Sequence, residues 1–248
     1  MLNVAIMICG HMRTYQKCYD NFISKIILPN KNHNLDVYIA TSDINSGRVN
    51  LSPTIDPLNQ IQYDKKYYKG HGLIYEVSKK NLEQKITDLY QDKNFNLKKI
   101  LFQNENLSDN NIDPMSWEWF RRGIFSKPCF CLKNVDNIEN YDIIVRTRPD
   151  LILKKEITFF KSESLKVFGG WPADEKYESR KYLADFFAYG SPSTMKTYCD
   201  IHLMKKPMDT TVTKHPYNSE NQLSLYLSSK NIKTEYIIQK RNEYEIQR

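Results

Sequence analysis

The sequence predicts an α/β fold: a single domain over residues 1–248 with a central, mostly parallel mixed sheet flanked by helices. Three stretches carry that expectation. Asn3-Val-Ala-Ile-Met-Ile-Cys9 is a continuous apolar run that stops at Gly10, the pattern of a strand buried on both faces and entering a loop. Leu35 to Thr41 repeats the pattern at a distance that leaves room for one helix, which makes a βαβ unit. Tyr141 to Leu151 is apolar at first and ends in charge: Arg146, Arg148 and Asp150 are spaced two apart, with Pro149 stopping the strand before the carboxylate.

The elements follow in order. Residues from about Tyr15 to Leu28 have helical spacing at Cys18, Phe22 and Ile26 and close at Pro29. The polar stretch from Ser42 to Gly47 reads as a turn after the second strand, and 48–75, with Pro53, Pro57, Gly70 and Gly72, reads as irregular. Ser78 is placed to cap a helix through Leu89, with Leu82, Ile86 and Leu89 on its apolar face. Lys99 to Phe102 is a short strand, and the Asn- and Asp-rich stretch 104–113 is a loop. Met115 to Leu132 starts as helix and is expected to break near Pro128. After the 141–148 strand come strands at Ile152–Phe160, Leu165–Phe168 and Asp185–Gly190. Ser191 opens a helix through about Leu203, and a helix over Asn218–Lys230 is capped by Ser219, with Leu223 and Leu227 on one face. A last strand spans Ile232–Ile238.

Composition narrows the partners. The formal charge of +7 permits an anionic one, but the lysines are scattered in pairs, and no RNA-binding or zinc-finger signature is present, so nucleic acid is not expected. Five cysteines, an odd number, point to free thiols and a reducing compartment; Cys129 and Cys131 have the wrong spacing for a redox or zinc pair. The apolar run Val4–Cys9 is too short for a signal peptide, and no stretch is long enough to span a membrane. A soluble, cytoplasmic protein without a transmembrane segment is therefore expected, and the Asn- and Lys-rich composition suits a bacterial or virus-encoded chain.

Side chains alternate along a strand, so Arg146, Arg148 and, if the extended geometry persists, Asp150 fall on one side. Two permanent cations and a carboxylate delivered to the C-terminal end of a strand suit a metal-bound, phosphate-rich ligand: the guanidinium fork matches phosphate oxygens, and the carboxylate can hold a divalent ion. The plainer alternative is a surface Arg–Asp ion pair.

Read together, four blocks resemble the nucleotide-sugar-dependent glycosyltransferases of GT-A fold, particularly microbial and viral members with an Arg-x-Arg-x-Asp signature. Gly10-His-Met-Arg-Thr-Tyr15 looks like their turn after the first strand, Asp36 to Thr41 like their second strand, Tyr141 to Leu151 like the strand leading to the metal site, and Asp185 to Ser191 like the acceptor-side strand. Ser219-Glu220 is similar to the Pro-Glu of a C-terminal block, with Ser in place of Pro. One departure stands out. The usual Asp-x-Asp is here Arg148-Pro149-Asp150, so only its second acid survives.

The resemblance implies a Rossmann-like GT-A domain, with a nucleotide-binding part over about 1–150 and an acceptor-side part over about 151–248. It also implies transfer of a sugar from a nucleoside-diphosphate sugar, UDP foremost, to a glycan or other hydroxyl acceptor, with Mn²⁺ or Mg²⁺. Asp150 is then the metal ligand, with His215 as an additional one. Gly10, Arg13, Arg146 and Arg148 take the nucleotide and its phosphates, and Thr41 and Asp43 its base or ribose. Plainer roles stand beside these: a tight turn for Gly10, a capped turn for Thr41 and Asp43, and pairing with Asp142 or Asp185 for Arg146. Asp185 and Glu220 are the candidates for the catalytic base or for orienting sugar hydroxyls; Glu220 can equally serve as a helix-terminal acid. Trp171, in a Gly-Gly-Trp-Pro turn, is the candidate for stacking on a sugar, whereas Trp117 and Trp119 are expected to pack in the core and His202 to be structural. His11 is a lesser candidate for phosphate. The alternative from another class is a catalytically silent GT-A-like domain that binds a nucleotide or a glycan.

Overall fold

A computed structural model of the chain describes residues 1–42, 44–48, 63–69, 72–104, 124–169, 183–208, 219–238 and 243–247, with the backbone alone for 44–48, 63–69, 72–77 and 219. Seven strands make the central sheet: β1 (Asn3–Cys9), β2 (Asn34–Thr41), β6 (Asn96–Phe102), β7 (Ile143–Thr147), β9 (Leu165–Gly169), β10 (Leu183–Gly190) and β11 (Thr234–Ile238). Their spatial order is β11-β9-β10-β7-β1-β2-β6, and β10 alone runs against the others.

Alternation along β1 builds two cores at once. Val4, Ile6 and Ile8 face one layer, which contains α1 (Tyr15–Phe22) and α2 (Lys79–Leu89). Ala5, Met7 and Cys9 face the other, which contains α3 (Ser126–Lys133), α4 (Pro192–Cys199) and α5 (Ser219–Ser229). The chain is thus an α/β protein with helices on both faces of a mixed, mostly parallel sheet. All five cysteines are free and buried in these layers.

The topology fixes where a ligand can sit. From β1 the chain winds outward through β2 to β6, then returns to place β7 on the other side of β1. The strand order thus switches direction at β1, and the C-terminal edge at β1 and β7 is where open α/β sheets bind ligands.

Local signals explain the helix ends. Ser78 accepts from Asn81 N at 3.4 Å, and Ser191 accepts from Thr194 N at 3.3 Å with Pro192 just inside. Four expectations are corrected. Pro128 does not break its helix, because it lies in the first turn of α3, where the missing N–H has no partner to lose. The helix at Ser219 begins with that residue rather than after it. The stretch read as a turn and an irregular region contains β3 (Ile44–Arg48), β4 (Tyr63–Lys69) and β5 (Gly72–Val77), an antiparallel sheet in the order β3-β5-β4. Gly72 pairs with Lys69, so a glycine that read as a breaker opens β5 instead. Finally, Ile152–Phe160 is not one strand. Only β8 (Leu151–Leu153) is, and its partner is β12 (Tyr244–Ile246), beyond the expected last strand.

Side-chain amides replace a sheet partner for the rest of that segment. Asn21 Nδ2 donates to Leu153 O at 2.9 Å, and its Oδ1 accepts from Leu153 N at 2.7 Å. Asn30, 1% exposed, donates to Ile26 O and Ile157 O, both at 2.6 Å, and accepts from Phe159 N at 2.7 Å. Asn30→Leu leaves these buried backbone groups unsatisfied, and is expected to cost about 3 kcal/mol of stability. Urea unfolding with an unchanged m-value checks this; a loss below about 1 kcal/mol contradicts it.

Candidate functional site

Asp150 is the centre of the C-terminal edge. Pro149 ends β7 after Thr147 and turns the chain so that the Asp150 carboxylate points back under Arg148. Arg148 grips it with two parallel bonds, Nε to Oδ1 and Nη2 to Oδ2, each 2.7 Å. Arg13, from the loop after β1, donates through Nη2 to Oδ2 at 2.9 Å. The Asp150 side chain is 1% exposed, while those of Arg13 and Arg148 keep 18% and 24%. Burial alone pushes the Asp150 carboxyl up, but hydrogen bonding and charge from Arg148, with Arg13, outweigh it and hold the group below its ordinary value.

The surrounding backbone locks this geometry. Gly10 has φ +154°, and a Cβ there would lie 3.0 Å from Pro149 Cδ. The glycine thus lets the β1 loop pass the Pro149 ring. From the far end of the chain, Gln247 N donates to Asp150 O at 2.8 Å, and Thr14 Oγ1 donates to Gln247 O at 3.1 Å.

Sequence reasoning missed Lys127. It lies in the first turn of α3, 2% exposed, with Nζ 3.3 Å from His11 Nε2. Burial pulls the Lys127 ammonium down to about 7; the Arg148 and Arg13 charges act the same way, and Cys9 opposes them. The His11 imidazole is held well below its ordinary value, first by burial and then by the charges of Lys127, Arg13 and Arg148 against Asp150. His11 is therefore neutral at pH 7 and able to accept from Lys127. The signal that marks Lys127 is a cation in the first turn of a helical run whose buried apolar positions include Phe125, Cys129, Cys131 and Leu132.

Arg146 is 2% exposed, and its Nε and Nη1 are buried with no hydrogen-bond partner. Asp142, one of its expected partners, instead accepts from Asn3 N at 2.8 Å and pairs with Lys161 at 2.7 Å. Asp185 is 8% exposed. It precedes Ala188, which pairs with Arg146, so the antiparallel course of β10 carries Asp185 level with the end of β7. Its charge is felt at both Arg148 and Tyr198.

The remaining expectations divide. Thr41 ends β2 at the same edge, 0% exposed, its Oγ1 without a hydrogen-bond partner. Glu220 sits half-buried in the first turn of α5. His202 packs its Nδ1 3.2 Å from Cys199 O, consistent with a structural role. Asp43, Trp171 and His215, with Trp117 and Trp119, fall outside the described residues.

The structure brings Arg13 and Arg148 onto one buried carboxylate; the charges of both reach the Lys127–His11 pair, and that of Asp185 reaches Arg148. Among the described residues here cations outnumber acids, a balance that favours anionic oxygen. Both Asp150 oxygens are engaged, Oδ1 by Arg148 and Oδ2 by Arg148 and Arg13, so a metal ion there would compete with the guanidiniums for the carboxylate. Among the described residues no helix is long and apolar enough to cross a membrane. No protein-family model matches the chain, and a search of curated proteins finds no match either.

Lys127 has a testable cost. Between about pH 7 and its ordinary 10.5 the unfolded chain holds a proton there that the native state does not, so stability rises with pH across that window. Below pH 7 the penalty is complete. Lys127→Met is therefore expected to be more stable than the parent chain at pH 6, by up to about 5 kcal/mol, with the gain fading towards pH 10. Denaturant titrations at several pH values measure this; a gain independent of pH contradicts it.

Proposed function

We propose that the chain is a glycosyltransferase of GT-A type that moves a sugar from a nucleoside-diphosphate sugar, UDP foremost, to a glycan or other hydroxyl acceptor. The observation that supports this most is the set of cations at the β1/β7 edge: Arg13 and Arg148 locked in place by Asp150, with Lys127 buried beside them.

Glycosyl transfer breaks the bond between the anomeric carbon and a phosphate oxygen and forms one from that carbon to the acceptor oxygen. Negative charge grows on the departing diphosphate, and preorganised donors that need not move are the best means to stabilise it. Arg13 and Arg148 meet that condition, since Asp150 fixes their planes while part of each guanidinium stays accessible. Lys127 supplies a further positive charge once an anion raises its proton affinity. The acceptor proton needs a base, and Asp185, beside the end of β7, is the described acid best placed to take it or to orient the hydroxyl. Glu220 is the other candidate on the acceptor side.

Donor hydrolysis without acceptor tests the reading. A panel of UDP- and GDP-sugars is expected to yield one donor from which nucleoside diphosphate is released, at a rate at least about 100-fold lower for Arg148→Ala. Binding of a nucleotide sugar with no turnover, with or without glycan acceptors, would instead favour the silent binding domain. Failure of every nucleotide and nucleotide sugar to bind would refute both.

A further inference from the structure

We propose that this site holds the donor's pyrophosphate on protein cations alone, with Arg146, Lys127, Arg13 and Arg148 doing the work of a divalent ion. The inference rests on the reading of this edge as a nucleoside-diphosphate site, and it departs from the metal dependence that the resemblance implies.

Three observations carry it. First, the acid left from the Asp-x-Asp pattern is already engaged by guanidiniums through both oxygens. Oδ1 accepts from Arg148, and Oδ2 accepts from both Arg148 and Arg13, in a side chain 1% exposed. A metal at Asp150 would compete with those charge-assisted bonds and would sit next to two guanidiniums.

Second, Arg146 is a buried guanidinium with two N–H-bearing nitrogens unsatisfied. Buried polar groups are normally paired, and a lone cation is the costliest exception, so such a group points to an anion that completes it. Arg146 precedes Arg148 by two residues and shares its strand face with Ile144, in the layer that also holds α3 and α4. Tyr198 on α4, whose hydroxyl donates to Asp185 O at 3.3 Å, feels both the Arg146 and the Asp185 charges. Arg146 thus belongs to the same end of the sheet.

Third, the local charge favours an anion over a further cation. Arg13, Arg146 and Arg148 are cations, Lys127 adds a fourth once an anion raises its proton affinity, and among the described residues Asp150 and Asp185 are the acids near them. A diphosphate neutralises this set, whereas a free divalent ion adds to the repulsion.

The test is the affinity of the chain, after exhaustive EDTA treatment, for UDP and for inorganic pyrophosphate, by calorimetry in EDTA, in Mg²⁺ and in Mn²⁺. UDP is expected to bind in EDTA within about threefold of its affinity in either metal. Arg146→Met is expected to weaken UDP binding in EDTA at least about tenfold without lowering the melting temperature of the ligand-free protein, and Arg146→Lys to retain more of the affinity. UDP binding that needs Mn²⁺ or Mg²⁺, or that gains more than about tenfold from either, overturns the inference and leaves the donor reading standing. Pyrophosphate bound in EDTA while no nucleotide binds keeps the inference and removes the donor reading. No binding of either probe in any buffer removes both.

Discussion

The burial of one carboxylate between two guanidiniums governs the C-terminal edge of this sheet. Asp150 is almost wholly removed from water, a position an ionised acid holds only when its oxygens are filled by donors. Arg148 and Arg13 fill them, and they come from the loops after β7 and β1. The ion triplet is thus also the fastener between the loops that follow two paired strands, β1 and β7. Breaking a buried pair of this kind by removing one partner typically costs about 3–5 kcal/mol. Pro149 against Gly10, and the C-terminal strand through Gln247, hold the backbone so that the triplet forms.

The same arrangement gives the edge its chemistry. A guanidinium that spends two donors on Asp150 still has others, and its plane can no longer swing away. Rigid donors are what a leaving diphosphate requires. The cations behind them are expensive by comparison: Lys127 is buried beside a neutral imidazole, and Arg146 has buried nitrogens with nothing to bind. A fold selected for stability alone would not keep them, and strain of this sort concentrates where a ligand repays it.

Much of the fold was legible because it rests on local pattern. Apolar runs gave β1, β2 and β7, and the caps at Ser78 and Ser191 gave α2 and α4 their starts. The grouping of Arg13, Arg148 and Asp150 also followed, since residues just past the ends of neighbouring parallel strands must meet. What escaped depends on partners remote in sequence. No periodicity shows that Gln247 closes on Asp150, that Lys127 reaches His11, or that Asn21 and Asn30 stand in for a missing strand. That Arg13 and Arg148 both claim the Asp150 oxygens was not legible either, because alternation tells which side a side chain takes, not which neighbours it bonds. Pro128 misled because a proline's effect depends on its turn within the helix, which the sequence alone does not number.

The most direct measurement is a crystal structure of the chain grown with UDP in the presence of Mn²⁺. The account predicts diphosphate oxygens within hydrogen-bonding distance of Arg13 and Arg148, with Asp150 still gripping both guanidiniums. A nucleotide bound elsewhere, or Asp150 released from its arginines to coordinate the metal, would contradict it.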